Sequence, residues 1–213
     1  MTMAGPLEVL ASGLKELGLA DDGAVLERLE AWLQVHGRWA ERMNLTGTRD
    51  PDTLVREHLL DAAAIIPALP DGTVLDVGSG AGLPGLVIAA LDVERPVTLL
   101  DAQQRRTVFL EQAALAMQLA RVRVVTARAE SWQPDAPLAA VLARAVAPLP
   151  RLLAFTGHLL RQGTPLLAMK GPAWREEARE LPQGYVIEDV RPYTPAHWGR
   201  EHVLIRVVAR EQA

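Results

Sequence analysis

Residues 74–85 read Val-Leu-Asp-Val-Gly-Ser-Gly-Ala-Gly-Leu-Pro-Gly. An apolar strand runs directly into a glycine-rich turn, and Pro84 suits the first turn of a helix that follows. Glycine supplies left-handed backbone angles and lets the main chain approach a ligand closely. A loop of this kind, at the carboxyl end of a first parallel strand, is where open α/β sheets bind ligands. A tight strand-to-helix turn with no ligand is the plainer reading of the glycines alone. Two acids sharpen the choice. Asp76 falls inside the strand, where a carboxylate is costly unless it meets a cation or a hydrogen-bond donor. Asp101 closes the next apolar run, Leu99-Leu100-Asp101, at the distance from Gly80 where an acid accepts the hydroxyls of a ribose.

An adenosine with a cationic amino-acid end would answer both acids, and S-adenosylmethionine is such a molecule. Gly78, Gly80 and Asp101 are then its expected cradle. A nicotinamide dinucleotide is the rival ligand. Its fingerprint spaces the glycines G-x-G-x-x-G, whereas Gly78, Gly80 and Gly82 alternate here and the third dinucleotide glycine would fall on Leu83. No Tyr-x-x-x-Lys pair or His-Asp relay is present to serve a hydride partner.

The elements around these residues follow from pattern. Strands are expected at Val74–Val77, Val97–Leu100, Val122–Thr126, Ala139–Leu142, Pro165–Met169, Tyr185–Val190 and His202–Val208. Helices are expected between the early ones, at Gly85–Leu91, Arg105–Leu119 and Pro148–Leu160. Alternation of this kind predicts a doubly wound α/β fold, with a mostly parallel sheet covered by helices on both faces. The short buried strands lack polar alternation, as strands covered on both faces do. Only residues 191–199 separate the last two, which predicts an antiparallel hairpin at one edge. Before the sheet, Leu7, Leu10, Leu14 and Leu17 keep helical spacing, a second helix runs from Asp22 to Arg42, and a third starts after Asp50-Pro51. The expected organisation is a helical extension over residues 1–70, packed on a core over residues 71–213.

Composition bounds the function. The chain has 213 residues and no cysteine, which excludes disulfides, thiolate metal sites and cysteine nucleophiles. Acids come too early at the N-terminus for a signal peptide, and no apolar run approaches the roughly 20 residues of a membrane span. A soluble, cytoplasmic protein is expected. Residues 1–120 carry 9 Lys and Arg against 17 Asp and Glu, while residues 121–213 carry 13 against 9. That asymmetry fits either a locally basic face or plain drift in composition.

In order along the chain, Met43-Asn44-Leu45-Thr46, His58-Leu59-Leu60-Asp61, Asp76 to Gly85, Leu99-Leu100-Asp101, Arg128-Ala129-Glu130, Ala143-Arg144-Ala145, Met169-Lys170-Gly171 and Gly199-Arg200 resemble one family. It is the bacterial 16S ribosomal RNA guanine-N7 methyltransferases, or RsmG family, also called glucose-inhibited division protein B. The resemblance spans residues 30–208. It implies a class I methyltransferase Rossmann-like fold, S-adenosyl-L-methionine as cofactor and no metal. It further implies, as acceptor, N7 of one guanine near the decoding site of 16S rRNA in the small ribosomal subunit. By position, Gly78 and Leu83 would line the methionine and adenosine portions of the cofactor, Ala129 and Glu130 would contact its adenine, and Arg144 would sit beside the methyl donor. The family's Gly-Glu-Arg-His stands here as Gly199-Arg200-Glu201-His202, and counting back from Ile205 keeps an arginine, Arg200, at the expected place.

Guanine N7 has a free lone pair, so its methylation needs no base, and alignment carries the rate. Positive charge builds on the ring as N7 is alkylated, so a cation at N7 would oppose the reaction. Arg144 and Arg200 are therefore expected to hold O6, a phosphate or the ring face, with Lys170 neutralising phosphate. RNA affinity would rest on a basic face built from Arg121, Arg123, Arg144, Lys170, Arg175 and Arg200. Blander roles stand beside these. Arg200 can be a surface arginine, Glu130 a turn cap, Asn44 and Thr46 a cap and turn, and Trp198 an ordinary loop aromatic. His58 and Asp61, three apart on one helix face, can pair with each other or with the glycine loop; no third ligand for a metal lies near them. Rival functions are a methyltransferase for a small molecule or protein, a non-catalytic cofactor sensor, and a nicotinamide oxidoreductase. A monomer is expected, since no long apolar stripe argues for a dimer.

Overall fold

A computed structural model describes residues 5–193 and 201–210, apart from the side chains of residues 161 and 162. Seven strands form one sheet: β1 Val74–Val77, β2 Val97–Asp101, β3 Val122–Thr126, β4 Ala140–Arg144, β5 Leu166–Lys170, β6 Tyr185–Pro192 and β7 Val203–Ala209. Their spatial order is β3-β2-β1-β4-β5-β7-β6. The first five are parallel, while β7 runs antiparallel to both β5 and β6. The doubly wound sheet and the antiparallel edge hairpin are as the sequence predicts. Strand β7, last in sequence, sits between β5 and β6 rather than outside them. Strand order reverses at β1, between β2 and β4, and the carboxyl ends of those strands open the crevice where such sheets bind ligands.

Alternating residues feed opposite faces. Val74, Leu142, Leu167 and Met169 join one core; Leu75, Val141, Ala143, Leu166 and Ala168 join the other. The first core is roofed by α5 (Gly85–Leu91) and α6 (Gln104–Ala116), the second by α7 (Leu149–Thr156). Helix α7 continues as a 3-10 segment through Gly163, and α8 (Trp174–Arg179) is a short helix for which the sequence analysis has no expectation. Helix α6 stops at Ala116, short of Leu119, and Gln118 takes a left-handed φ of 56° just beyond it. Strand β4 runs two residues past the expected Leu142, so that Arg144 is its last residue.

The N-terminal helices share the α5–α6 core without a break. Helix α1 (Pro6–Glu16) buries Val9, Leu10 and Leu14, and α2 (Gly23–Ala40) buries Val25, Leu29, Trp32 and Val35. Asp22 caps α2 by accepting from the Val25 amide at 2.9 Å. Inside the protein, the Trp32 indole N–H donates to the Ala81 carbonyl at 3.0 Å, which ties α2 to the glycine loop. Trp32 also stacks on His36, whose Nε2 meets the Thr46 hydroxyl at 2.9 Å. Burial pushes the His36 imidazole down to about 4. Asn44 accepts from the Gly47 amide, so the Asn44–Thr46 stretch is a turn that closes on α2.

The third helical run starts with Asp50 capping Thr53 and Pro51 in the first turn. It is not one uniform helix. Segment α3 (Pro51–Leu54) passes into a π turn at Val55–Leu59 and then α4 (Leu60–Ala63). The widened turn coincides with a side chain from β4 taking up its carbonyls, as described below. Among the described residues, no helix is long and apolar enough to cross a membrane.

Asp76, on β1, is 1% exposed and accepts from the Gly85 amide at 3.0 Å, at the start of α5. Its other oxygen, Oδ1, is buried without a partner. Burial raises the carboxyl from 3.8 to about 7. The folded chain thus holds a proton that the unfolded chain releases, so stability from this group is complete below pH 3.8 and is lost as pH rises towards about 7. Asp76→Asn removes that slope: in urea unfolding, the stability of the variant relative to the parent should climb between pH 4.5 and 7 and level off above. Trp32→Phe leaves the Ala81 carbonyl unmatched, and should cost about 1–3 kcal/mol in the same assay.

Candidate active site

The glycine turn folds back on the end of β2. The Gly78 amide donates to the Leu100 carbonyl at 2.8 Å, and Gly78 takes a left-handed φ of 67°. A Cβ built there would lie 3.0 Å from Val146, tighter than such contacts ordinarily sit, and the left-handed φ would strain any side chain at the position. Asp101, 4% exposed, binds this turn directly: Oδ2 accepts from the Gly80 amide at 3.0 Å, and Oδ1 accepts from the Gln103 amide at 2.8 Å. Arg106 approaches the same carboxylate at 3.5 Å. Between these groups and the 3-10 turn at Ala129–Ser131 lies a cavity of about 200 Å³. Gly78, Asp101, Ala129 and Glu130 all line it, together with Val146 and Phe155. Four of the expected cofactor residues therefore converge on one cavity, although they come from three strand ends. Gly80 reaches it through Asp101. Leu83 is not on its wall; the side chain packs into the core on the α5–α6 side. Asp76 forms no ion pair among the described residues, lines neither this cavity nor its neighbour, and keeps Oδ1 buried without a hydrogen-bond partner.

Val146 is shared with a second cavity, of about 460 Å³. Its walls include His58, Asp61, Arg144, Lys170, Tyr193 and His202. Ala145, on the wall of this second cavity just before Val146, has a left-handed φ of 53°, rare for a residue with a Cβ and a mark of strain held by its surroundings.

Those surroundings are ionic on both sides. Arg144 donates to the carbonyls of His58 (3.1 Å) and Glu57 (3.0 Å), both in the π turn, and to His58 Nδ1 (2.9 Å). Its Nε lies 3.4 Å from Asp61 Oδ2. Asp61 is 3% exposed, and its Oδ1 accepts from Tyr193 (3.1 Å) and meets His202 Nδ1 (2.7 Å). His58 and Asp61 thus pair with neither each other nor the glycine loop. Desolvation, aided by the Arg144 charge, pulls His58 down to about 4, so its ring is neutral near pH 7. Burial and the Asp61 charge raise the Tyr193 phenol above its ordinary range. On the other side, Lys170 donates to the Ala147 carbonyl (2.6 Å) and pairs with Glu177 (2.7 Å), which also accepts from the Leu149 amide (2.8 Å).

The expected basic face looks different in three dimensions. Arg144, Lys170, Arg121, Arg123 and Arg175 each have a carboxylate partner: Asp61, Glu177, Glu94, Asp135 and Glu201. Arg121 precedes β3 and Arg144 ends β4, so in a parallel sheet they sit at opposite ends. Arg200 and Trp198 lie outside the described residues. Among the described residues no cluster of His, Cys, Asp and Glu is suited to a metal ion. Sequence reasoning gave no role to Val146, Glu177, Tyr193 or His202. Val146 and His202 carried a local signal, the first just after the Arg144 motif and the second as the last residue of Gly199-Arg200-Glu201-His202.

The fold is that of known methyltransferases. The glycopeptide N-methyltransferase MtfA complexed with S-adenosyl-L-methionine superposes with a TM-score of 0.57 at 14% identity, over 72% of this chain and 87% of that one. A ribosomal protein L11 methylase from Lactobacillus delbrueckii subsp. bulgaricus gives 0.54 at 15% identity, over 73% and 79%. In sequence, the chain is 45% identical over 181 residues to the ribosomal RNA small subunit methyltransferase G of Halorhodospira halophila, covering 85% of this chain and 86% of that protein. It is 40% identical over 198 residues to that of Pseudomonas paraeruginosa, covering 92% of each. Residues 25–204 match the GidB family, described as rRNA small subunit methyltransferase G. With the glycine turn, Asp101 and the Arg144 pocket all inside that match, the chain belongs to the GidB family.

Proposed function

We propose that this protein transfers a methyl group from S-adenosyl-L-methionine to N7 of a guanine in small-subunit ribosomal RNA. One observation carries the reading: the cavity bounded by Gly78 and Asp101 and the cavity bounded by Arg144 share the single side chain of Val146. A nucleoside ligand in the first and a base in the second would meet across that boundary, as an in-line transfer requires.

The residues present fit the cofactor. Gly78 keeps the cavity wall clear where a Cβ would crowd Val146, Asp101 keeps acceptor capacity for ribose hydroxyls beyond its two amide bonds, and Ala129 and Glu130 close the cavity. When bound, S-adenosylmethionine supplies an electrophilic methyl whose S–C bond breaks as the N7–C bond forms. The base gains a positive charge, and no proton has to leave. The protein's part is then to align the base and exclude water. Arg144 serves alignment from behind: with its N–H groups on Asp61, Glu57 and His58, it fixes the end of β4 and the Ala145–Val146 turn. Lys170 and Glu177 fix the far end of that turn at Ala147 and Leu149. Arg200 would add a contact to the base or a phosphate, the role its place in the motif suggests.

Labelled methyl from S-adenosylmethionine should appear in 16S rRNA when the protein is given 30S subunits or naked rRNA, at a site sensitive to the strand scission that marks N7-methylguanine. Label confined to small metabolites or to protein would remove the RNA reading. Asp101→Ala should weaken S-adenosylhomocysteine binding by about 10- to 100-fold in calorimetry, the scale of hydrogen bonds to a charged group. Gly78→Val should abolish it by wedging a side chain against Val146.

A further inference from the structure

We infer that His58 is the group that reads the target base, donating a hydrogen bond from Nε2–H to O6 of the guanine. The inference rests on the guanine-N7 reading above and deepens it.

Three observations meet at this side chain. First, His58 lines the acceptor cavity. Second, its tautomer is fixed by its neighbour. A guanidinium can only donate, so the 2.9 Å contact between Arg144 and His58 Nδ1 makes Nδ1 an acceptor and places the proton on Nε2. The same arginine holds the His58 carbonyl, so backbone and ring are set by one partner. Third, the ring stays neutral. Arg144 lies against it, burial disfavours its charged form, and the acids around it, Asp61 and Glu57, are outweighed.

A neutral donor is what the chemistry wants at this point. O6 neighbours N7 on the same edge of guanine, so any group that recognises O6 lies close to where positive charge develops. A cation there would be repelled in the transition state, while a neutral N–H recognises O6 without that penalty. Arg144 has the charge that would be harmful, and the structure turns it away: its contacts are spent on Asp61, Glu57 and His58. The arginine thus acts on the base through the imidazole. Adenine carries an amino group where guanine has O6, and that amino group would face an N–H with no acceptor to offer. The donor therefore selects guanine over adenine as well as orienting it.

The test couples enzyme and substrate. 30S subunits are reconstituted with 16S rRNA that carries either guanine or 2-aminopurine at the methylated position; 2-aminopurine keeps N7 and lacks O6. The parent protein, His58→Ala and His58→Gln are assayed on both, and S-adenosylhomocysteine binding checks that each variant is folded. On guanine, His58→Ala should lose about 10-fold or more in kcat/KM, the cost of an unmet hydrogen bond, and His58→Gln, which keeps an N–H at the reach of Nε2, should recover part of it. On 2-aminopurine all three should react alike, giving a coupling energy between His58 and O6. Equal losses for His58→Ala on both bases would overturn the inference while leaving the methyltransferase reading in place. Failure of the parent protein to methylate the guanine subunits would overturn the reading itself. Should His58→Ala not bind S-adenosylhomocysteine, the comparison of parent and His58→Gln on the two bases decides: a Gln defect of the same size on both overturns the inference.

Discussion

A guanidinium buried at the end of a hydrophobic strand has to be met by acceptors, and the rest of this site is arranged by that requirement. Arg144 terminates β4 with its side chain largely out of solvent, and nothing on the sheet itself can satisfy it. Its partners come from the run of helix at residues 51–63, which opens into a π turn where two carbonyls are drawn to the arginine. The carboxylate that balances the charge, Asp61, is itself buried and would be costly alone. Charge on the sheet and charge on the helix are each tolerable only because the other is there. The N-terminal segment therefore forms a wall of the Arg144 cavity rather than a cover laid over a finished domain.

The same logic runs on the cofactor side with neutral groups. Trp32 reaches from α2 to the Ala81 carbonyl, and Asp101 reaches from β2 to the Gly80 amide. The glycine turn is thus held from outside the sheet and from within it. Both cavities depend on the short Ala145–Pro148 stretch, whose strained first residue is pinned by Arg144 before it and by Lys170 and Glu177 beyond. Lys170, expected to face phosphate, instead ends in a carbonyl and a carboxylate. Its charge serves the turn, and salt dependence of RNA binding would have to come from other cations.

Much of the fold was legible because strands buried on both faces write themselves as unbroken apolar runs, and because Gly78, Gly80, Gly82 and the two aspartates are local in sequence. The cavity at Gly78 and Asp101 was legible for the same reason: most of its walls are short motifs at strand ends. The Arg144 cavity was only half legible. His58 and Asp61 stand out as a spaced pair, but their partners are set by topology. Arg144 lies 86 residues from His58, and Tyr193 and His202 lie 132 and 141 residues from Asp61. No periodicity encodes such distances. The π turn was hidden as well, since its cause is a side chain from another element. Helix α8 has no expectation in the sequence, since its six residues follow Gly171-Pro172 and are mostly charged; it brings Glu177 to Lys170.

The position of β7 has a consequence for the order in which the molecule is made. Strands β2 to β5 each find a neighbour among residues already synthesised, but β6 has no partner until the later β7 has slipped between it and β5. A nascent chain that has just emerged through β6 carries a nearly complete cleft at Gly78 and Asp101 beside an open flank. His202, at the threshold of β7, reaches Asp61 only afterwards. During synthesis the smaller cavity would thus be walled before the larger, whose last wall is built by the last strand to arrive.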